Sequence, residues 1–262
     1  MKIKAHLLVP IAFLALLAPA QASTSDWTQT PGGRVRILIE DSSTKGELRG
    51  ALQIELRPGW KTYWRNPGDA GVPPQITVSG DGKARIDFPV PVRFGAGYEG
   101  GVGYTQPVSL PLTFTIKPSD KHLKGNVFLG ICEKICIPVL AEFDLPLPER
   151  AEASSPQAIA TRTIIQTAFD RLPSPASSNF GVSEASHHQD RIIFELALPD
   201  AAAPAQLFIA SNELSPLDAV PEVQEQNSRF AAKFRGNAKA GAAIDYTLVQ
   251  NGQAVSGSVK LD

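Results

Sequence analysis

Sulfur is scarce in this chain of 262 residues, which has two cysteines, Cys132 and Cys136, and a single methionine, Met1. A closed zinc site needs four ligands, and beyond the first 22 residues the chain adds to its two thiols only His122, His187 and His188. Copper(I) favours soft sulfur, and without an internal methionine the thiol pair is the one weak copper candidate. No later stretch approaches the ~18 consecutive apolar residues of a spanning helix. An excess of positive charge is missing too: 25 Lys and Arg stand against 26 Asp and Glu, so nothing points to nucleic acid. There is no G-x-S-x-G elbow, no H-E-x-x-H helix and no G-x-x-x-x-G-K phosphate loop, which removes the usual signatures of serine hydrolases, zinc proteases and nucleotide enzymes. The Gly-rich segment from Gly95 to Gly103 reads as a loop, and His187-His188 in "SEASHHQD" as solvated loop residues.

What is present begins with an address. Lys2 and Lys4 precede an apolar run from Leu7 to Ala18, and Ala20-Gln21-Ala22 forms an A-x-A cleavage site, so residues 1–22 are predicted to be a signal peptide. The chain is expected to be exported in soluble form, without direct membrane insertion, into an oxidising compartment where two thiols tend to pair.

Period-two runs then recur: "RVRILIE" (34–40), "GALQIEL" (50–56), "VSLPLTFTI" (108–116), "NVFLGIC" (126–132) and "IPVLAEFDL" (137–145). Pro and Gly clusters separate them, the pattern of a β-sandwich over residues 23–150. The polar "PERAEASSPQ" reads as a linker, and apolar residues spaced three and four apart predict a short helix from Ala158 to Leu172, closed by Pro173. That helix is expected at the domain junction or on the second domain, within a connecting segment 151–183. Further strands, "RIIFELAL" (191–198), "QLFIA" (206–210), "RFAAKFR" (229–235), "AIDYTLVQ" (243–250) and "AVSGSVKL" (254–261), predict a second, smaller sandwich over 184–262.

The chemistry concentrates in "GICEKICIPV", residues 130–139. Residues four apart on a straight strand lie about 13 Å from each other, too far for a disulfide, so the chain must turn between the cysteines. Both flanks are strand-like, which makes Glu133-Lys134-Ile135 a three-residue hairpin loop with the cysteines opposed at its mouth. Such a small ring stabilises by only about 2 kcal/mol, against about 4.7 kcal/mol for a 100-residue loop. Sandwich domains that use a staple join strands distant in sequence instead. A tight, exposed bridge is easily reduced, so redox chemistry ranks ahead of a local staple, and a metal clip comes last.

Three motifs, "LRPGWKTYWRNPGDAGVPPQI" (56–76), "GYEGGVGYTQPVSLPL" (97–112) and "GICEKICIPV", resemble the periplasmic N-terminal domain of the thiol:disulfide interchange reductase DsbD, and most closely its relatives in the suppressor-of-copper-sensitivity (ScsB) branch. The resemblance implies a mainly β chain with immunoglobulin-like sandwiches, a periplasmic location and no cofactor. It implies Cys132 and Cys136 as the redox pair, with Cys136 forming mixed disulfides and Cys132 resolving them. Electrons would pass from a membrane electron-transfer protein to periplasmic thioredoxin-fold proteins, the setting of cytochrome c maturation and copper tolerance. The family shields its cysteines with an aromatic cap; here the matching loop is 94–104, with Tyr98 the first choice and Tyr104 the second. Asp69 and Glu99 are candidates to raise a nearby thiol pKa, Lys134 to lower it, while Tyr63 and Trp64 fit either a supporting role or the core. The cysteine spacing is shorter than in the best-known reductases, and the chain stops at Asp262 without their membrane and thioredoxin-like domains, so a separate membrane protein is the expected electron source. Activity as a protein-disulfide reductase is the leading expectation; a non-enzymatic binding module with a structural hairpin disulfide is the alternative.

Overall fold

A computed structural model describes residues 23–41, 46–68, 71–95, 100–117, 119–147, 155–221, 228–235 and 239–262. The signal peptide expected over 1–22 and linker residues 148–154 lie outside the described residues. The described chain is mainly β, with one helix.

Eleven strands come first: β1 (Thr28–Thr30), β2 (Gly33–Asp41), β3 (Glu47–Leu56), β4 (Lys61–Tyr63), β5 (Gln75–Val78), β6 (Lys83–Ile86), β7 (Val92–Phe94), β8 (Gly101–Tyr104), β9 (Val108–Thr115), β10 (His122–Cys132) and β11 (Cys136–Pro146). They form one sheet ordered β1-β2-β3-β9-β6 and a facing sheet ordered β11-β10-β4-β8-β7, with β5 also paired to β10. Alternate residues point inward, as period two requires. Val35, Ile37 and Ile39 from β2 meet Leu110, Leu112 and Phe114 from β9 and Val127, Leu129 and Ile131 from β10 in one buried cluster.

After helix α1 (Pro156–Asp170) come β12 (Ser174–Pro175), β13 (Gly181–His188), β14 (Arg191–Ala197), β15 (Ala205–Ala210), β16 (Ser215–Pro221), β17 (Arg229–Arg235), β18 (Ala243–Gln250) and β19 (Gln253–Lys260). These make two four-stranded sheets, β12-β19-β18-β15 and β13-β14-β17-β16, around a second core that includes Phe194, Leu207, Phe230 and Leu248.

The structure departs from the sequence reading in three places. Gly101–Tyr104 is strand β8, not loop: Gly103 pairs with Tyr63 and Val92, and a Cβ there would meet the Thr62 carbonyl oxygen at 2.1 Å, so the close strand approach needs glycine. His187 and His188 lie on β13, and the His187 ring packs edge-on against Phe234 at 5.2 Å. The helix starts two residues earlier than expected because the Ser155 hydroxyl accepts from the Ala158 N–H and Pro156 fits the first turn. It docks on the first sandwich, where Ile165 and Ala168 pack against Leu38 and Ala51. Leu38 faces away from the first core while Ile37 and Ile39 face into it, so β2 is buried on both faces, and its nearly continuous apolar run reflects that.

Beside this patch Glu40, 8% exposed, sits 3.7 Å from Arg49 and 3.5 Å from Arg162 of the helix. Burial pushes its carboxyl above the ordinary value, while both arginines pull it back. The folded chain therefore holds this proton where the unfolded chain has lost it. Glu40 supports folding in acid, and its contribution declines as pH rises from the unfolded value through the raised one. Glu40→Gln should remove that decline: urea unfolding between about pH 4 and pH 7 should show stability relative to wild type improving toward neutrality. A variant that loses ground toward pH 7 would mean that attraction to Arg49 and Arg162 outweighs burial.

Candidate functional site

Strands β10 and β11 pair without interruption from His122↔Pro146 to Cys132↔Cys136. The last pair is a disulfide with Cα atoms 4.1 Å apart, and Glu133, Lys134 and Ile135 form the exposed three-residue loop beyond it. The two sulfurs are not equivalent. Cys132 is buried, 2% exposed, whereas Cys136 is partly open to solvent.

Strand β4 lies against the hairpin, with Ile131 opposite Thr62 and Cys132 opposite Lys61. The fully buried Thr62 hydroxyl donates to the Gly130 carbonyl at 2.9 Å, fastening β4 two residues from Cys132. The next residue, Tyr63, brings its hydroxyl 3.1 Å from Cys136 Sγ. A disulfide sulfur carries no hydrogen, so the phenol is the donor. Its ring stands in a slot cut by glycine. A Cβ on Gly71 would come within 2.6 Å of the ring and one on Gly101 within 3.1 Å, and Phe94 closes a further side at 5.8 Å between centroids. Lys61 sets its ammonium 5.1 Å from the Phe94 centroid. Burial pushes the Tyr63 phenol above its ordinary value, so it stays a protonated donor at neutral pH.

A bridge closed across a hairpin, with one sulfur open and held by a donor and the other buried, suits thiol-disulfide exchange, in which one sulfur meets the partner and its neighbour resolves the intermediate. The family model described as "Thiol:disulfide interchange protein DsbD, N-terminal" matches residues 34–148. Residues 34–148 belong to the DsbD N-terminal family. The match runs from β2 through β11 and contains both cysteines and Tyr63. The family makes this a thiol-disulfide exchange module. The crystal structure of the N-terminal periplasmic domain of ScsB from Proteus mirabilis is similar over more than the DsbD-like region, with a TM-score of 0.75 at 19% identity, covering 92% of this chain and 99% of that one. At that identity the likeness establishes the fold. No curated protein matches the sequence.

Within the DsbD-like domain the other expected site residues separate. Tyr98, Glu99 and Asp69 lie outside the described residues. Tyr104 is buried in the core and its hydroxyl donates to the Pro89 carbonyl at 2.8 Å, so it packs within the sheets and does not lie over the sulfurs. Trp64 is 1% exposed and packs on Phe88 and Phe208, pointing away from the site that its neighbour Tyr63 enters. Thr62, Phe94, Gly71 and Gly101 went unrecognised in the sequence. Strand alternation separates Tyr63 from Thr62 and Trp64 only once β4 is known to be a strand, and its three residues are too few to show that in the sequence. Among the described residues no group of three or more His, Cys, Asp or Glu could hold a metal ion, and the bridged sulfurs offer no thiolate.

In the reduced protein the Tyr63 hydroxyl can donate to a Cys136 thiolate. A hydrogen bond to a charged group contributes about 1.5–3 kcal/mol, so Tyr63→Phe should raise the Cys136 thiol pKa by about one unit. Thiolate content then falls about tenfold, offset in part by the greater nucleophilicity of the more basic sulfur, for a net slowing of roughly threefold in iodoacetamide alkylation near neutral pH. An unshifted alkylation profile would mean that the contact exists only in the disulfide state.

Proposed function

We propose that this chain is a soluble periplasmic protein-disulfide reductase that relays reducing equivalents through Cys132 and Cys136, from a membrane electron-transfer protein to oxidised thioredoxin-fold proteins. The observation that carries the reading is the asymmetry of the bridge: only Cys136 is open to an incoming sulfur, and Tyr63 touches that same atom.

In the loading step a donor thiolate attacks Cys136 Sγ. The Cys132–Cys136 bond breaks and Cys132 leaves as a thiolate that takes up a proton. The donor's second thiolate then attacks the donor sulfur of the mixed disulfide and releases Cys136, so two electrons have moved to this chain and the donor is oxidised. In the delivery step the Cys136 thiolate attacks the acceptor's disulfide and one acceptor sulfur leaves as a thiol. Cys132 then attacks Cys136 Sγ, which re-forms the internal bridge and frees the reduced acceptor.

The reading also assigns residues 1–22 as a signal peptide, 23–150 as the redox sandwich, 151–183 as linker and helix, and 184–262 as a second sandwich. On the N-terminal side of the redox sandwich, the Ser23 carbonyl accepts from Ile39 N–H at 2.8 Å and Thr24 bridges to Leu38. At the other boundary the second sandwich takes in chain from within 151–183, since β12 pairs with β19 and Gly181 of β13 with Ala197 of β14.

Cys132→Ala should trap acceptors on Cys136 as mixed disulfides recoverable from intact cells on non-reducing gels, while Cys136→Ala should trap none. Recovery of no adduct from the first variant, with the wild-type pair fully oxidised in cells, would favour a binding module whose bridge is structural.

A further inference from the structure

The Tyr63–Cys136 contact is made by β4, and the three residues that follow it reach into the second sandwich. The Trp64 ring meets Phe208 edge-on at 6.2 Å. Arg65 Nη1 pairs with Asp245 Oδ2 at 3.2 Å, and Asn66 Nδ2 donates to the Ile209 carbonyl at 2.8 Å. A second grip comes from β7. Arg93 Nη2 donates to the Leu207 carbonyl at 2.8 Å and its guanidinium lies 4.3 Å from the Phe208 ring centroid, while the next residue, Phe94, packs on Tyr63.

Apart from the Arg65 pair with Asp245 on the neighbouring strand β18, the contacts with the second sandwich centre on β15, the edge strand of its sheet. An edge strand carries backbone acceptors on one side that no neighbouring strand satisfies, and Leu207 and Ile209, two residues apart, present theirs on the same side. Here the donors are the side chains of Arg93 and Asn66. Phe208 and Ala210 are buried with the first core as if they belonged to it. The second sandwich thus holds both segments that fix the Tyr63 ring: the peptide directly after it and the strand whose phenylalanine closes its slot.

We infer that the second sandwich is a positioning element for the redox pair, keeping the Tyr63 hydroxyl on Cys136 Sγ through Trp64 on one side and Arg93-Phe94 on the other. The inference rests on the exchange role given to Cys136 above and extends the working site beyond the DsbD-like segment. Ordinary domain packing would explain the contacts but not a coupling to sulfur reactivity, and that difference is measurable.

The test uses the full chain, reduced, with iodoacetamide as the probe and mass spectrometry to read Cys136 as a function of pH. Arg93 lies at the exposed rim of the junction, so Arg93→Met removes the grip on Leu207 and Phe208 without opening a core; Phe208→Leu tests the buried side. Each should shift the Cys136 profile to higher pH and slow alkylation near neutrality by roughly twofold to threefold, with Arg93→Lys restoring most of the loss. Each should add nothing in a Tyr63→Phe background, because both act through the same hydroxyl. Profiles that superimpose on wild type, or shifts that add to that of Tyr63→Phe, would overturn the inference while leaving exchange intact. A wild-type pair that dithiothreitol does not reduce, or a Cys132→Ala variant that traps no partner on Cys136 in cells, would instead defeat the exchange reading, and the inference with it.

Discussion

The register of one hairpin governs the site. Val127, Leu129 and Ile131 on β10 and Val139, Ala141, Phe143 and Leu145 on β11 all belong to the buried face, and a slip of one residue would carry the whole set of one strand to solvent. Core burial therefore fixes the pairing along the whole ladder, and the pairing sets Cys132 opposite Cys136 at its end. The sulfurs fall on the face away from the core, in step with Phe128 and Leu140, both of which remain exposed. Near the turn that outer face is covered: the Gly130 N–H donates to the Val72 carbonyl, and Tyr63 stands beside it. This cover leaves Cys132 buried and Cys136 partly open. The asymmetry that the chemistry uses is thus a consequence of where a non-core segment crosses a core-determined ladder.

Glycine has a steric task at that crossing. Gly71 and Gly101 come from the two Gly- and Pro-rich motifs, and both lie where a side chain would collide with the Tyr63 ring. Gly103 lets β8 approach β4 closely enough to pair. The same residues that mark turns in a sequence reading therefore shape the slot that aims a phenol at a sulfur. Beyond the slot, the aromatic contacts pass into Phe88 and Phe208, so the site, the first core and the second sandwich are packed together.

Legibility in the sequence followed element length. The five long runs of the first sandwich and the five of the second each became strands, because period two over seven or more residues leaves little ambiguity and the shorter "QLFIA" is bounded by turn residues. Strands β4 and β8 have three and four residues, and β8 contains two glycines, too little pattern to separate them from turns. Helix α1 was legible as a helix from its own apolar spacing, but its docking face was not: Leu38 and Ala51, which receive it, lie more than a hundred residues earlier. Trp64 and Tyr63 carry similar weight in the sequence, and their division into core and site depends on which face of β4 meets the hairpin.

The sequence by itself determined the hairpin, its three-residue loop and the adjacency of the two sulfurs, because each follows from alternation and chain geometry over about twenty residues. Its motifs determined the family. Only the tertiary structure decided which sulfur is open, which aromatic donates to it and that a second sandwich grips the strands around that donor. Those outcomes depend on β4 being inserted between β10 and β8, and on β15 presenting its edge to Asn66 and Arg93, pairings between residues tens to more than a hundred positions apart that no local pattern encodes.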